Sequence, residues 1–391
     1  MPNFPRSKLP DVGTTIFTVM SRRARELSAL NLGQGFPDYD IDPLLTGLVE
    51  QAMREGFNQY APMEGTLELR EAIATKLALT YPGLAVDPGS QITITLGATE
   101  AIYSAIQAVV GPGDEVIAFD PAYDSYEPAV RLAGGRCIRL PLMPPGFRPD
   151  WERVQAALSP RTRLVIINSP HNPACTVLTG DDLDTLAVLI RGHDINVLSD
   201  EVYEHVLYDG RAHATVLRHP ELAARSFAVF SFGKTMHATG LRVGYCVAPT
   251  VLTQELRKVH QFNTFSISHP FQRAFAQYLT AKPEGWRELP AFFQAKRDRL
   301  IRALSASGLG LPPAQGTYLQ LLDFSALFGG NDLEFAEELL TEGGVASIPL
   351  APFYAQNPQL RVVRLCIAKR DETLDEGARR INAFAAKLRQ R

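Results

Sequence analysis

A lysine follows an apolar run in SFGKTMHATGLRVGY (231–245), with a second cation at Arg242. No acidic residue lies within ten positions of Lys234 on either side. A lysine stem entering an interior must reach back to water or be given a chemical task. One such task is nucleophilic: the amine condenses with a carbonyl as a Schiff base. Other polar residues end apolar runs in the same way. Asn172 follows RLVIIN in NSPHNPA, Asp200 ends INVLSD with Tyr203 close behind, and Ser231 ends SFAVFSF. Gly97, Ala98 and Thr99 end QITITLG, and Tyr123 follows DEVIAFD.

Each residue also has a plain structural role. Thr99 suits a helix N-cap, Asn172-Pro173 suits a turn, and the tyrosines suit core positions with a wet hydroxyl. Arg242 and Arg364 read as surface cations, although each lies beside an apolar strand. Together the residues suit one anionic ligand. Backbone amides at Ala98 and Thr99 bind a phosphate at a helix start. Ser231 adds a hydroxyl and Arg242 a permanently charged fork. Lys234 takes an aldehyde, Asp200 a protonated ring nitrogen, and Asn172 with Tyr203 a ring oxygen. Tyr123 stacks on the ring face. Phosphate, aldehyde, pyridine nitrogen and phenolic oxygen describe pyridoxal 5′-phosphate.

The elements that must position these groups alternate. Strand-like runs at 91–97, 114–120, 135–140, 163–168, 195–200, 226–232 and 244–249 are separated by helical patterns such as 99–110 and 181–192. Alternation of this kind predicts an α/β fold around a largely parallel sheet. Such a sheet exposes its active residues at the carboxyl ends of strands. After about residue 283 the pattern changes to a long helix (287–304), short strands (317–324, 344–350, 360–368) and a closing helix (374–390). These boundaries give an N-terminal arm (1–45) packed on the smaller domain, a large domain (46–283) and a small α+β domain (284–391).

Bulk properties narrow the function. Lys and Arg number 39 against 42 Asp and Glu, a net charge of −3, so no basic surface for nucleic acid or anionic membrane is expected. No run is long and apolar enough for a membrane span, and MPNFPRSKLP lacks the apolar region of a secretion signal. The four cysteines are scattered and read as buried reduced thiols of a cytoplasmic protein. The eight histidines show no metal-binding spacing, so no metal is expected.

The ordered set NQYAPMEGTLELREAIA, TLGATEA, DPAYDSYEP, NSPHNPA, SDEVYEHV, SFGKTMHATGLRVGY and VVRLCIAK resembles class I aminotransferases of fold type I over essentially the whole chain. SKLPDVGTTIFTVMSRRA and NLGQGFPDYD resemble the branch of bacterial methionine aminotransferases and kynurenine–oxoglutarate (glutamine) transaminases. The resemblance implies a mostly parallel seven-stranded sheet flanked by helices. It makes Lys234 the Schiff-base lysine and Asp200 the partner of the ring nitrogen. Asn172 and Tyr203 become partners of the ring oxygen, and Ala98, Thr99, Ser231 and Arg242 phosphate binders. Tyr60 matches a tyrosine that reaches the phosphate of a neighbouring subunit, which implies a homodimer. Arg364 matches the arginine that grips the substrate carboxylate, with Gly35 and Asn172 beside it. One departure is the loop NPAC (172–175), where many members read NPTG, so a different turn geometry is expected.

HQFNTFSISHP (260–270) offers no arginine for a second carboxylate, and TTIF (14–17) and Tyr60 are apolar or amphipathic. The expected donor is therefore a large neutral amino acid: methionine, then aromatic amino acids, glutamine or kynurenine, with a 2-oxo acid as acceptor. Three rival readings stand beside this. A β-lyase acting on cysteine conjugates or cystathionine would use the same lysine. A serine hydrolase would use Ser231 and Lys234 as an SxxK pair, but Gly233 and the strand-like run before it argue against the required helix, and KTG is absent. A regulator on the same fold would need a DNA-binding segment, which the sequence does not show.

Overall fold

The computed structural model describes residues 7–391; the first six residues of the arm, MPNFPR, lie outside the described residues. Twelve strands run in chain order: β1 (Leu30–Asn31), β2 (Ile92–Thr95), β3 (Glu115–Asp120), β4 (Arg136–Pro141), β5 (Thr162–Asn168), β6 (Asn196–Asp200), β7 (Ser226–Ser231), β8 (Gly244–Val247), β9 (Leu319–Asp323), β10 (Val345–Ala346), β11 (Ile348–Pro349) and β12 (Val362–Cys366). Seven of them form one sheet in the order β2-β8-β7-β6-β5-β3-β4. Only β8 runs antiparallel to its neighbours.

The sequence explains this sheet. VIAF, VII and FAVF are continuous apolar runs, as strands buried on both faces must be, and every residue of β3 and β7 is buried. Intervening helices cover both faces. The helix Gly180–Ile190 starts through a capping box between Thr179 and Asp182. Because β3 leads outward to β4 while β5, β6 and β7 build the other way, the strand order reverses between β3 and β5. A crevice opens at such a point above the carboxyl ends of the strands.

The C-terminal part differs in detail from the sequence pattern. GVASIPL is two short strands in two sheets. β10 pairs in parallel with β1 of the arm, while β11 joins β12 and β9 in an antiparallel sheet. The helices Leu289–Leu304 and Asp371–Leu388 pack together over this part. The arm helix Ile16–Glu26 lies against β10 and β11, and Asp11 forms an ion pair with Arg131 of the helix Tyr126–Leu132. All four cysteines are free; Cys137 is half-buried and the others are buried. Among the described residues no helix is long and apolar enough to cross a membrane, and no group of three His, Cys, Asp or Glu is placed to hold a metal ion.

Candidate active site

The carboxyl ends of β3, β5, β6 and β7 surround a cavity of about 110 Å³. Ala98, Thr99, Tyr123, Asn172, Asp200, Tyr203, Ser231, Lys234 and Arg242 all line it, together with Asn168. Nine of the residues singled out in the sequence therefore face one space, although they span positions 98 to 242.

One wall is the start of the helix Gly97–Val109. Its cap position is Leu96, not Thr99, and no side chain caps it. The first amides of a helix lack intrahelical partners, so this end presents free donors and the positive end of the helix dipole. Arg242 reaches the same point. Gly97 stands at φ 70°, and a Cβ there would lie 2.7 Å from Arg242 Nη2. That contact is with a movable side-chain end, so the left-handed backbone dominates the penalty. Gly97→Ala is expected to lower stability by about 1–2 kcal/mol and to displace Arg242. Urea denaturation checks it, and an unchanged midpoint would count against the left-handed conformation at Gly97.

Asp200 closes the floor. Tyr126 donates to its Oδ2 at 2.6 Å, and Asn168 Nδ2 donates to its backbone carbonyl at 2.8 Å. Burial pushes the carboxyl up to about 6, against the opposing hydrogen bonds from Tyr126 and Val202. At neutral pH it is therefore mainly a buried carboxylate. Burial brings the Lys234 amine down to about 8, and Arg242 and Arg364 act in the same direction. About a tenth of the amine is then unprotonated at pH 7, against well under a hundredth for an ordinary lysine. Lys234 Nζ donates to the Tyr318 hydroxyl at 2.8 Å.

Arg364 sits in the middle of β12 and is 1% exposed. Nη1 donates to Asn172 Oδ1 at 2.9 Å and Nη2 to the Gly33 carbonyl at 2.8 Å. Its Nε has no partner, and no carboxylate lies within 4.0 Å among the described residues. Phe17 lies over the guanidinium, 4.9 Å from its carbon to the ring centre, and packs against Phe353. A buried cation without an anion is costly unless a ligand supplies one. Gly35 joins the group through its carbonyl, which accepts from Tyr318 at 2.7 Å.

Tyr60 is not brought to this cavity. It is 82% exposed, with its ring edge-on to Phe265. Sequence reasoning missed Tyr126, Asn168 and Tyr318. Asn168 had a signal, because it ends its own strand and pairs in register with Asp200. The NPAC loop holds Cys175 at φ 62°, a left-handed conformation that glycine would enter freely. The helix argument against an SxxK pair also needs correction: Phe232–Thr235 is a one-turn helix with Ser231 at its cap. What sets that pair aside is the amine, whose hydrogen bond goes to Tyr318.

The sequence profile of "Aminotransferase class I and II" matches residues 28–381. The chain is 51% identical to methionine aminotransferase of Escherichia coli, over 97% of this chain and 98% of that protein. It is 31% identical to kynurenine–oxoglutarate transaminase 1 of Rattus norvegicus, over 94% and 95%. The crystal structure of Escherichia coli YbdL, described as identifying a methionine aminotransferase function, superposes with a TM-score of 0.96 at 51% identity, covering 98% of this chain and all of that one. The chain belongs to the class I and II aminotransferase family.

Proposed function

We propose that this aminotransferase carries pyridoxal 5′-phosphate and moves the amino group of a large neutral amino acid, methionine first, to a 2-oxo acid. The observation that carries this reading is the company of Lys234. Its amine shares one cavity with a buried carboxylate, an uncapped helix start and Arg242, and lies near a buried guanidinium that lacks an anion. This donor set fits the cofactor. Ala98 and Thr99 amides, Ser231 and Arg242 would hold its phosphate, Lys234 its aldehyde and Asp200 its ring nitrogen. Asn172 and Tyr203 would hold its ring oxygen, with Tyr123 against its face. When bound, it supplies an aldehyde and an electron sink.

The protein's own groups do the rest. Arg364 would bind the donor's carboxylate with a two-pronged grip, beside Asn172 and Gly35, and so fix the direction of the Cα–H bond. Lys234 Nζ would take that proton, a role favoured by an amine with a lowered affinity for protons. Phe17 and Phe353 offer an apolar surface beside Arg364, which suits a neutral side chain. Tyr60 and Phe265 pair edge-on at the surface, and Phe262 is 86% exposed; such exposed aromatics suit a second copy of the chain. In that homodimer Tyr60 would reach the phosphate of the neighbouring site.

Borohydride reduction and peptide mapping are expected to leave a pyridoxyl group on Lys234; an adduct on another lysine would overturn the assignment. Methionine is expected to exceed aspartate in kcat/KM by at least about tenfold, because a second carboxylate would meet apolar surface without a partner. A preference for aspartate would refute the substrate class.

A further inference from the structure

We propose that Tyr318 is a positioning residue, whose hydroxyl holds the free amine of Lys234 and aims it at the donor's Cα proton. This rests on the reading of Lys234 given above.

Tyr318 precedes β9 and is 0% exposed. Its place is fixed from several sides. The Ile367 amide donates to its carbonyl at 2.9 Å, and the Thr317 amide beside it donates to the Val206 carbonyl at 2.8 Å. Thr317 stands at φ 69°, so the chain turns sharply to present the tyrosine. The ring packs edge-on to Tyr203, with centres 5.0 Å apart, and tilted against Phe293 at 5.6 Å. A ring held this way carries its hydroxyl at a defined point.

That hydroxyl has one proton to give, and the Gly35 carbonyl, an acceptor only, takes it at 2.7 Å. Its lone pairs are therefore left for Lys234 Nζ at 2.8 Å. Among the described residues this is the only hydrogen bond the amine makes. The ammonium also sits 5.3 Å and 5.6 Å from the ring centres of Tyr318 and Tyr203. A lysine side chain has four rotatable bonds, and without this acceptor nothing on the chain fixes the last of them. Gly35 adjoins the segment that takes the Arg364 guanidinium through Gly33. The chain from Lys234 through Tyr318 to Gly35 therefore links the position of the base to the segment next to the carboxylate-binding cation.

Tyr318→Phe keeps the ring and removes the hydroxyl, so the fold is expected to survive, which a thermal melt checks. The first measurement needs no cofactor. Lys234 in the cofactor-free full chain is labelled with acetic anhydride across a pH series and quantified by peptide mapping. Asp200, Cys366, Arg242 and Arg364 also act on this amine and are unchanged in the variant. Loss of the acceptor disfavours the ammonium, so the labelling midpoint should fall by about one pH unit. The second measurement uses the loaded enzyme. With methionine, kcat should fall by about tenfold to a hundredfold with little change in KM, and the α-deuterium isotope effect on kcat should grow, because the proton transfer has lost its alignment. A variant with the wild-type midpoint and the wild-type isotope effect would overturn the proposal. If borohydride fails to mark Lys234 in the unaltered protein, the reading of Lys234 fails instead.

Discussion

Replacement of Lys234 by alanine lowers kcat for amino-group transfer by about 10⁴, the upper range for a positioned general base. Added small primary amines restore part of the rate in proportion to their concentration, because the cavity that held the side chain remains. The same substitution moves stability in the opposite direction. The native cofactor-free protein holds this amine near 8, while the unfolded chain holds it near 10.5. Between these values the unfolded state binds a proton that the native state does not, so stability rises with pH across that window. Burial of the lysine therefore weighs most against the fold below pH 8. The gain in stability of Lys234→Ala over the parent should be greatest there and should shrink as the pH approaches 10.5. Denaturation midpoints at several pH values, taken with steady-state rates, check both halves. A lysine kept only for packing would show lost stability with retained turnover.

This opposition explains why the lysine stands out in the sequence by itself. An unpaired cation beside FAVFSF breaks the local pattern, and local rules fail where function overrides them. Asp200 and Asn172 are legible because a parallel sheet puts its strand ends in one row: Asp200 closes its own apolar run, and Asn172 lies in the loop just after another. Tyr318 and Tyr126 give no such signal. Tyr318 stands just before a strand like any core aromatic, and the turn at Thr317 aims it at Lys234. Tyr126 lies on a short helix whose seven residues are too few to show a period. The split of GVASIPL is likewise a long-range effect. Val345 and Ala346 pair with Leu30 and Asn31, and nothing local in the heptapeptide announces a partner so distant in the chain. Tyr60 is a different case: it is exposed and away from the cavity in a single chain, so the role proposed for it can be tested only with two chains together.

Arg364→Met should lower kcat/KM for methionine by about 10² to 10³ while changing stability by no more than about 2 kcal/mol. The two effects separate because of what surrounds the guanidinium. Among the described residues it donates only to neutral acceptors, Asn172 Oδ1 and the Gly33 carbonyl, and its Nε has no partner. Burial alone lowers its affinity for protons. Removing it leaves two acceptors unsatisfied, which destabilises, and removes an unpaired buried charge, which stabilises; these terms oppose. Binding has no such compensation, since the donor's carboxylate loses its sole cation. Arg364→Lys should recover little, because a point charge cannot make two parallel bonds. The decisive comparison uses 3-(methylthio)propylamine, which is methionine without its carboxylate. The parent should discriminate against this amine by the same 10² to 10³, and Arg364→Met should discriminate hardly at all, because the carboxylate and the guanidinium form one interaction and removing either removes it. Equal discrimination in both proteins would show that the carboxylate is bound elsewhere and would free Arg364 from the role.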